Sequence, residues 1–457
     1  MPASAARIIA FEVLRRVEAE GAYASDVLHT ELGASVKPAD AALATELTLG
    51  VLRWRRLLDF LIEGQLEKPL ARLDLPVVLA LRMGLYQLRF LERIPARAAV
   101  NESVDLVKRA KKSSAATLVN AVLRRRADDA RQPAEELVPA GLSRAERLGF
   151  LHSHPTWMVE RWLSRFGEAR TIRLLIANNR APRLSCAMHE TDRQQEIFST
   201  LEKGGLRIEP GRLLRSAFAV SGGSPARTEP FRKGWISIQD EASQAISLLL
   251  DVHAGDHVLD LCAAPGGKTA PLVRAAREKG LVVAADRHEH RLRAMRDQFE
   301  RLGLRNVRLV ELDATQALPF SEKFQRILVD APCSGTGTLA RHPEIRWRLE
   351  LGQLAELHRL QVAMLTSAAC QLAPGGRLVY STCSIEAEEN EAVVADVLAG
   401  DRTLRRVSSS EAARALLSHL VEGTAPVEFF DGDGQFSTAP GEILTDGFFA
   451  GILTRDS

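Results

Sequence analysis

The 457-residue chain has no apolar run approaching the ~18 residues that a membrane-spanning helix needs, so no membrane partner is expected. Its five cysteines, at 186, 262, 333, 370 and 383, form no CxxC pair and are odd in number. That usage argues against a disulfide framework and against a structural zinc site, and leaves each thiol reduced and available. His152 with His154 and His288 with His290 are close pairs, but no partner set with metal-ligand spacing accompanies them, so surface or packing roles are expected and no metal. The opening "MPASAARIIAFEVLRRVEAEG" mixes acids with its arginines and reads as an amphipathic helix rather than a cleavable signal. The expected compartment is therefore the cytoplasm.

With 46% hydrophobic and 26% charged residues, the chain is expected to be soluble, globular and divided into two to four domains. Its net charge of only +2 is unevenly spread. Residues 1–140 hold 21 basic and 18 acidic residues, 141–235 hold 16 and 9, and 236–457 hold 23 and 31. Phosphate contacts with a nucleic acid would therefore come mainly from the first half, where Lys and Arg are in excess. A solvated charged surface would give the same numbers.

Helical signals dominate residues 1 to about 130. In "ALATELTLGVLRWRRLLDFLIE" the residues Leu43, Leu47, Val51, Trp54, Leu57, Leu58 and Leu61 recur every three or four positions, the spacing of one apolar helical face. "PVVLALRMGLYQLRFLE", "AVNESVDLVKRAKK" and "TLVNAVLRRR" continue the pattern. The basic clusters at 108–112 and 124–126 close two of these helices, where cations complement the helix dipole whether or not they also meet RNA. "RQPAEELVPAGLSR" has linker composition. Beyond it, "HPTWMVERWLSRFG" predicts a helix after Pro155, "APRLSCAMHE" and "GGLRIEPG" predict short strands around a helix at 191–203, and "VSGGSPARTEPFRKG" reads as a separating tract.

From residue 236 onward, strands and helices alternate. Apolar runs of buried-strand length at 257–262, 281–286, 307–312, 325–330 and 376–381 are separated or followed by helical stretches at 268–279, 288–302, 350–372 and 386–399. Such alternation predicts a parallel sheet covered on both faces, with ligands beyond the carboxyl ends of its strands. Cys262, Asp286, Asp313, Asp330 and Cys383 all fall at or just past such ends.

The loop "DLCAAPGGKT" (260–269) resembles a phosphate loop, but G-x-x-x-x-G-K-[ST] would need glycine where Cys262 stands, and G-x-G-x-x-G is absent from it. What remains is a glycine-bearing turn that lets an adenosine-type ligand approach the backbone, with Asp286 placed for ribose hydroxyls and Asp313 for an adenine. S-adenosyl-L-methionine fits this better than ATP or NAD does, although an acid at a strand end is also a frequent helix cap.

"VDAPCSGTGTLARHPEIRW" follows the fourth predicted strand and "VYSTCS" ends the fifth. Neighbouring strands would bring Cys333, Cys383 and Asp330 to one pocket. Methylation of an oxygen, a nitrogen or an ordinary thiol needs no such set. Carbon 5 of a pyrimidine does, because a thiolate must first add to carbon 6 and convert the ring to an enamine. A base must then remove the carbon-5 proton before the enzyme is freed, and a carboxylic acid such as Asp330 suits ring nitrogen 3. Spacing alone leaves open which of the two thiols attacks.

Taken together, "DAALATELTLGVLRWR", "GLYQLRFLERIPARAAVNESV", "SHPTWMVERW", "QDEAS", "DLCAAPGGKT", "DRHEHRL", "DAPCSGTGTLARHPEIRW", "YSTCSIEAEENE" and "TDGFF" resemble the bacterial ribosomal RNA small-subunit methyltransferase B (Sun/Fmu) family of RNA cytosine-5 methyltransferases. The resemblance spans nearly the entire chain and is most specific in the catalytic half. It implies a multidomain fold: an all-α NusB-like RNA-binding domain (1–140), a small α+β RNA-recognition-like domain (145–235) and a C-terminal α/β Rossmann-type S-adenosylmethionine-dependent methyltransferase (236–457). It implies that Cys383 is the nucleophile, that Cys333 assists product release, that Asp330 contacts the cytosine ring and that Lys268 lines the catalytic pocket. Cofactor contacts are carried onto Cys262, Ala263, Ala264, Pro265, Gly266, Gly267, Lys268, Asp286, Asp313 and Asp330. The expected partner is a loop or extruded cytosine of small-subunit ribosomal RNA, since a stacked base is out of reach, and the expected state is a monomer. The family pattern "NxxPPxxLRVN" survives only in part, as "NNRAPRLSCAMH" (178–189), so detailed RNA contacts of the middle domain are not carried over.

Transfer RNA as substrate for the same chemistry, a non-catalytic RNA-binding or antitermination-type scaffold, and a nicotinamide-dependent dehydrogenase are the competing readings. Intact Cys333, Cys383, Asp330 and glycine loop weigh against the scaffold. The absent G-x-G-x-x-G and the paired thiols weigh against the dehydrogenase.

Overall fold

The computed structural model describes residues 3–33, 35–129 and 131–456. The chain divides into two compact units, one built from residues 1–181 and 339–348, the other from 182–338 and 349–457.

The first unit is helical. Its centre is the helix Leu75–Phe90, in which every residue from Val77 to Leu88 is buried. A helix apolar on all sides must be surrounded, and Ala5–Glu20, Pro38–Arg53, Ala96–Arg109 and Ala116–Ala127 surround it. Gly50 permits the closest approach, because a Cβ there would overlap the Tyr86 ring. The helices after the linker, Arg144–Leu151 and Thr156–Asn178, belong to this unit as well. The Arg56 backbone N–H donates to Ser153 Oγ at 2.9 Å, its guanidinium donates to the His154 carbonyl at 2.6 Å, and Phe60 meets Phe150 edge-on at 4.8 Å. His154 packs fully buried beside Asn178, and burial holds its pKa well below the usual histidine range. The predicted helix after Pro155 is present, broken at Gly167, whose φ of 72° a residue with a side chain rarely adopts.

Residues 339–348 are held in this helical unit by their side chains. Arg346 is only 1% exposed, and its guanidinium donates to Asn179 Oδ1 (2.9 Å) and to the carbonyls of Asn178 (3.1 Å) and Ser153 (3.2 Å). Burial and the nearby Arg53 charge lower its pKa to about 9. Trp347 Nε1 donates to the Leu52 carbonyl (2.6 Å), Arg348 donates to those of Val17 (2.7 Å) and Ala22 (2.6 Å), and Glu344 accepts from the Ala24 N–H (2.9 Å). The cations thus serve carbonyls at or beyond helix carboxyl ends, which the helices themselves leave without donors.

The second unit holds two sheets. Strands β1 (Leu184–Met188), β2 (Arg207–Pro210), β3 (Ala217–Ser221) and β4 (Ile236–Ile238) form an antiparallel sheet in the order β2-β3-β1-β4. The helix Gln194–Lys203 places Ile197 and Leu201 in the same core as Cys186 and Phe218. The tract read as a separator therefore begins inside β3, and "ISI" forms the additional strand β4.

The large sheet comprises β5 (His257–Leu261), β6 (Leu281–Asp286), β7 (Val307–Glu311), β8 (Phe324–Asp330), β9 (Leu372–Thr382), β10 (Leu404–Arg406), β11 (Phe436–Thr438) and β12 (Phe448–Arg455). Its order is β10-β12-β9-β8-β5-β6-β7, with β11 also on β12. The five strands predicted from the sequence are all present and pair in parallel. The sheet is mixed, however, because β12 runs antiparallel to β9. Alternation fills both faces: Leu259, Leu261, Ile327, Val329, Leu378 and Tyr380 share one core, while Val258, Leu328, Val379 and Ile452 share the other. The chain leaves β5 toward β6 on one side and reaches β8 on the other. This is the reversal point at which such sheets bind ligands.

Candidate active site

Strand pairing brings the predicted residues together. β8 and β9 are in register with Asp330 opposite Ser381, so the loops that follow them begin side by side. Ala331 N–H donates to the Ser381 carbonyl and Gly337 N–H to the Cys383 carbonyl, both at 2.9 Å. Across this junction the Cys333 and Cys383 sulfurs lie 3.3 Å apart as free thiols. The hydrogen bond with Cys383, burial and the charge of Glu389 push the Cys333 thiol well above its ordinary pKa, so Cys333 keeps its proton near neutrality. Gly337 makes the junction possible: a Cβ there would overlap the Gly447 carbonyl.

Asp330 is gripped on both oxygens. Ser381 Oγ donates to Oδ1 at 2.8 Å and Lys268 Nζ to Oδ2 at 2.6 Å. Burial opposes the Lys268 ammonium, but the charge and hydrogen bond of Asp330, with Cys383 and Asp260 adding to them, raise its pKa overall. The Nζ also lies 5.0 Å from the centre of the Phe448 ring, a cation–π distance. Lys268 is therefore committed to a carboxylate rather than presented to a phosphate, consistent with the incomplete phosphate-loop pattern.

The loop leading to Lys268 wraps tightly. Cys262 has φ 62°, its N-terminal neighbour Leu261 closes β5, and burial followed by the charges of Asp330, Asp286 and Asp260 drives its thiol far above the usual range. That chemistry suits a packed side chain. Ala263 N–H donates to the Ala285 carbonyl at 2.8 Å, Arg291 donates to the Ala264 carbonyl at 2.9 Å, and Pro265 follows Ala264 in a cis bond. Gly266 has φ 96°, and a Cβ there would press on Phe299 and Met295, whereas Gly267 faces only Gln239 at 3.5 Å or more. Beneath the loop, Asp260 accepts from Thr269 Oγ1 at 2.6 Å; burial lifts its carboxyl to about 7.

Asp286 closes β6, 3% exposed. Its Oδ1 accepts from His288 N–H at 3.0 Å, and Arg291 stands 3.2 Å from Oδ2, yet Oδ2 receives no hydrogen bond from the described residues. A buried acceptor left open at a strand end fits a ribose hydroxyl. Past the end of β7, Asp313 Oδ1 accepts from Thr315 N–H (3.0 Å) and Oγ1 (2.7 Å), and those bonds lower its pKa. It orders the turn after β7.

Several residues of the site lie inside motifs that carry the family resemblance but are assigned no role from the sequence: Ser381 and Glu389 in "YSTCSIEAEENE", Arg291 in "DRHEHRL", and Gly447 and Phe448 in "TDGFF".

A doubly wound sheet with an adenosine-type loop at its reversal point and two thiols at adjoining strand ends defines a Rossmann-type group-transfer enzyme. Comparison with known proteins narrows the class. The family described as 16S rRNA methyltransferase RsmB/F matches residues 247–454, and the NusB family matches residues 4–128. A probable ribosomal RNA small subunit methyltransferase B of Bacillus subtilis is 32% identical over 98% of both chains. The ribosomal RNA small subunit methyltransferase B of Pseudomonas syringae pv. tomato is 35% identical over 86% of both. Among solved structures, a methyltransferase homologue from Pyrococcus horikoshii aligns with a TM-score of 0.57 at 28% identity, over 69% of this chain and all of its own. The chain belongs to the ribosomal RNA small subunit methyltransferase B family. It is an S-adenosylmethionine-dependent ribosomal RNA methyltransferase with a NusB-family helical domain. No helix among the described residues is long and apolar enough to cross a membrane.

Proposed function

We propose that the enzyme methylates carbon 5 of a cytosine in 16S ribosomal RNA through a covalent bond between Cys383 and carbon 6. The observation that carries this reading is the 3.3 Å approach of Cys333 and Cys383 beside an Asp330 held on both oxygens. Cys383 adds to carbon 6 as the thiolate, and the ring electrons move toward nitrogen 3. Nitrogen 3 takes up the proton that the Cys383 thiol gives up, and Asp330, a carboxylate fixed by Ser381 and Lys268, accepts the hydrogen bond of the N3–H so formed. The Lys268 ammonium balances the Asp330 carboxylate and the charge of the attacking sulfur, as a preorganised cation in a water-poor site does. S-adenosylmethionine, when bound, supplies the electrophilic methyl group. For that cofactor the chain offers the open Asp286 Oδ2 and the backbone around Gly266 and Gly267.

Cys333 serves release. Its resting thiol must first pass its proton to solvent; the raised proton affinity then makes the thiolate a strong acceptor for the carbon-5 proton, which goes to solvent in turn after release. Loss of that proton restores the carbon 5–carbon 6 double bond, and the bonding pair of carbon 6 leaves with the Cys383 sulfur. The target cytosine must be unstacked for any of this to occur.

The test is incubation of wild type and variants with S-adenosylmethionine and 16S ribosomal RNA, with transfer RNA in parallel, followed by denaturing electrophoresis. Cys383→Ala is expected to abolish methyl transfer, and Cys333→Ala to leave RNA attached to protein. Full activity in Cys383→Ala would overturn the assignment of the nucleophile. Methylation of transfer RNA alone would overturn the substrate.

A further inference from the structure

Glu389 is 0% exposed, and the described residues place no lysine or arginine within ion-pairing distance of it. Its Oε1 accepts from the Ser334 backbone N–H at 2.8 Å and from Gln361 Nε2 at 3.1 Å. Its Oε2 accepts from Ser384 Oγ at 2.6 Å and from Ser334 Oγ. A buried carboxylate satisfied only by neutral donors is an expensive way to fill space, since an apolar side chain would avoid the desolvation penalty. Its partners explain its place. Ser334 directly follows Cys333 and Ser384 directly follows Cys383, so one carboxylate binds the residue after each thiol.

The neighbouring residues tighten the same grip. Asn390 accepts from Thr382 Oγ1 at 2.5 Å and donates to the Ser384 carbonyl at 2.9 Å, bracketing Cys383 on both sides. Tyr380 donates its hydroxyl to the Glu389 carbonyl at 2.5 Å. Gln361 donates also to the Pro332 carbonyl at 2.9 Å, one residue before Cys333.

We infer that Glu389 is a positioning residue that sets the spacing of Cys333 and Cys383 and thereby governs release of the methylated RNA. The inference rests on the covalent reading above. Addition of Cys383 to carbon 6 needs one correctly placed sulfur, whereas release needs both, so loosening the yoke affects release more. A shift near 1 Å in such a pair lowers a rate by on the order of 10- to 100-fold. The charge of Glu389 also contributes to the high proton affinity of Cys333, so neutralising it shifts the pH dependence of release toward lower pH.

The experiment compares wild type, Cys333→Ala, Glu389→Gln and Ser334→Ala as full-length proteins with S-adenosylmethionine and 16S ribosomal RNA. Covalent adduct is measured by denaturing electrophoresis, and single-turnover adduct formation and release are followed from pH 6 to 9. Glu389→Gln is expected to form adduct at near the wild-type rate, to release it about 10- to 100-fold more slowly, and to move the release profile to lower pH. Ser334→Ala, which keeps its backbone donor, is expected to show a smaller retardation without the pH shift. Should Glu389→Gln fold poorly, the Ser334→Ala partition between formation and release decides. Equal slowing of both steps in either variant, or unchanged release in both, overturns the inference while adduct accumulation in Cys333→Ala leaves the covalent reading standing. Absence of adduct in Cys333→Ala overturns that reading and this inference with it.

Discussion

Asp260 offers a measurement of how the cofactor loop is held. Its carboxyl sits beneath the loop, wholly buried, with Oδ2 accepting from Thr269 and Oδ1 without a partner among the described residues. Burial, reinforced by the charges of Asp330 and Asp286 and opposed by Thr269 and Lys268, lifts its pKa from 3.8 to about 7. At about 1.36 kcal/mol per tenfold change in proton affinity, this corresponds to roughly 4 kcal/mol between the protonation states. The sign follows from proton uptake. Between pH 3.8 and about 7 the folded chain keeps a proton at this site that the unfolded chain has lost, so the site's contribution falls across that window and is level above it. Asp260→Asn retains an acceptor for Thr269, and its amide NH2 stands where the protonated acid carries its hydroxyl. The variant should match wild type at pH 4 and exceed it at pH 8 by up to about 4 kcal/mol. Denaturant titrations at a series of pH values, read through the transition of the unit containing 182–338 and 349–457, give this difference directly. A pH-independent difference, or a less stable variant at pH 8, would refute the reasoning.

Other perturbations test other parts of the site. Gly337→Ala forces a Cβ into the Gly447 carbonyl, so methyl transfer should drop by at least about 10-fold in radiolabel assays, with a stability loss of roughly 1–3 kcal/mol. Asp286→Ala removes the open acceptor at the end of β6, and S-adenosylmethionine affinity by calorimetry should weaken by about 10- to 100-fold, the worth of one hydrogen bond to a charged group. Arg346→Met leaves the carbonyls of Asn178 and Ser153 and the Asn179 amide oxygen without their guanidinium donor, and each buried unsatisfied group costs about 1–3 kcal/mol. The helical unit should therefore melt at a visibly lower temperature, and an unchanged transition would contradict the described burial.

Strands β5 to β9 were legible because each is an apolar run of strand length bounded by turn residues, and their ends located Cys333, Cys383, Asp330 and Asp286. β12 was not. Its "FFAGILTR" contains Gly451, which lowers strand propensity, and only the fold shows why glycine stands there: a Cβ would come within 2.6 Å of Val394. β10 and β11, three residues each, are too short for any periodicity. The thiol pair was legible as a pair, yet the 3.3 Å separation depends on strand register and on Glu389. A buried carboxylate inside "EAEENE" has the same local pattern as a solvated one. The sequence assigns no element to residues 339–348, and nothing within ten residues shows that Arg346 and Trp347 complete a helical unit begun more than three hundred positions earlier.

That discontinuity bears on synthesis. The helical unit lacks Arg346 and Trp347, and with them the donors to Asn178, Ser153 and Leu52, until residue 348 has been made. At ~5–20 residues per second, the roughly 170 residues after position 181 take roughly 10–30 s. During that interval the helices emerge first but wait for a strap encoded beyond the thiol loop, and a fragment ending near residue 181 would remain in that waiting state.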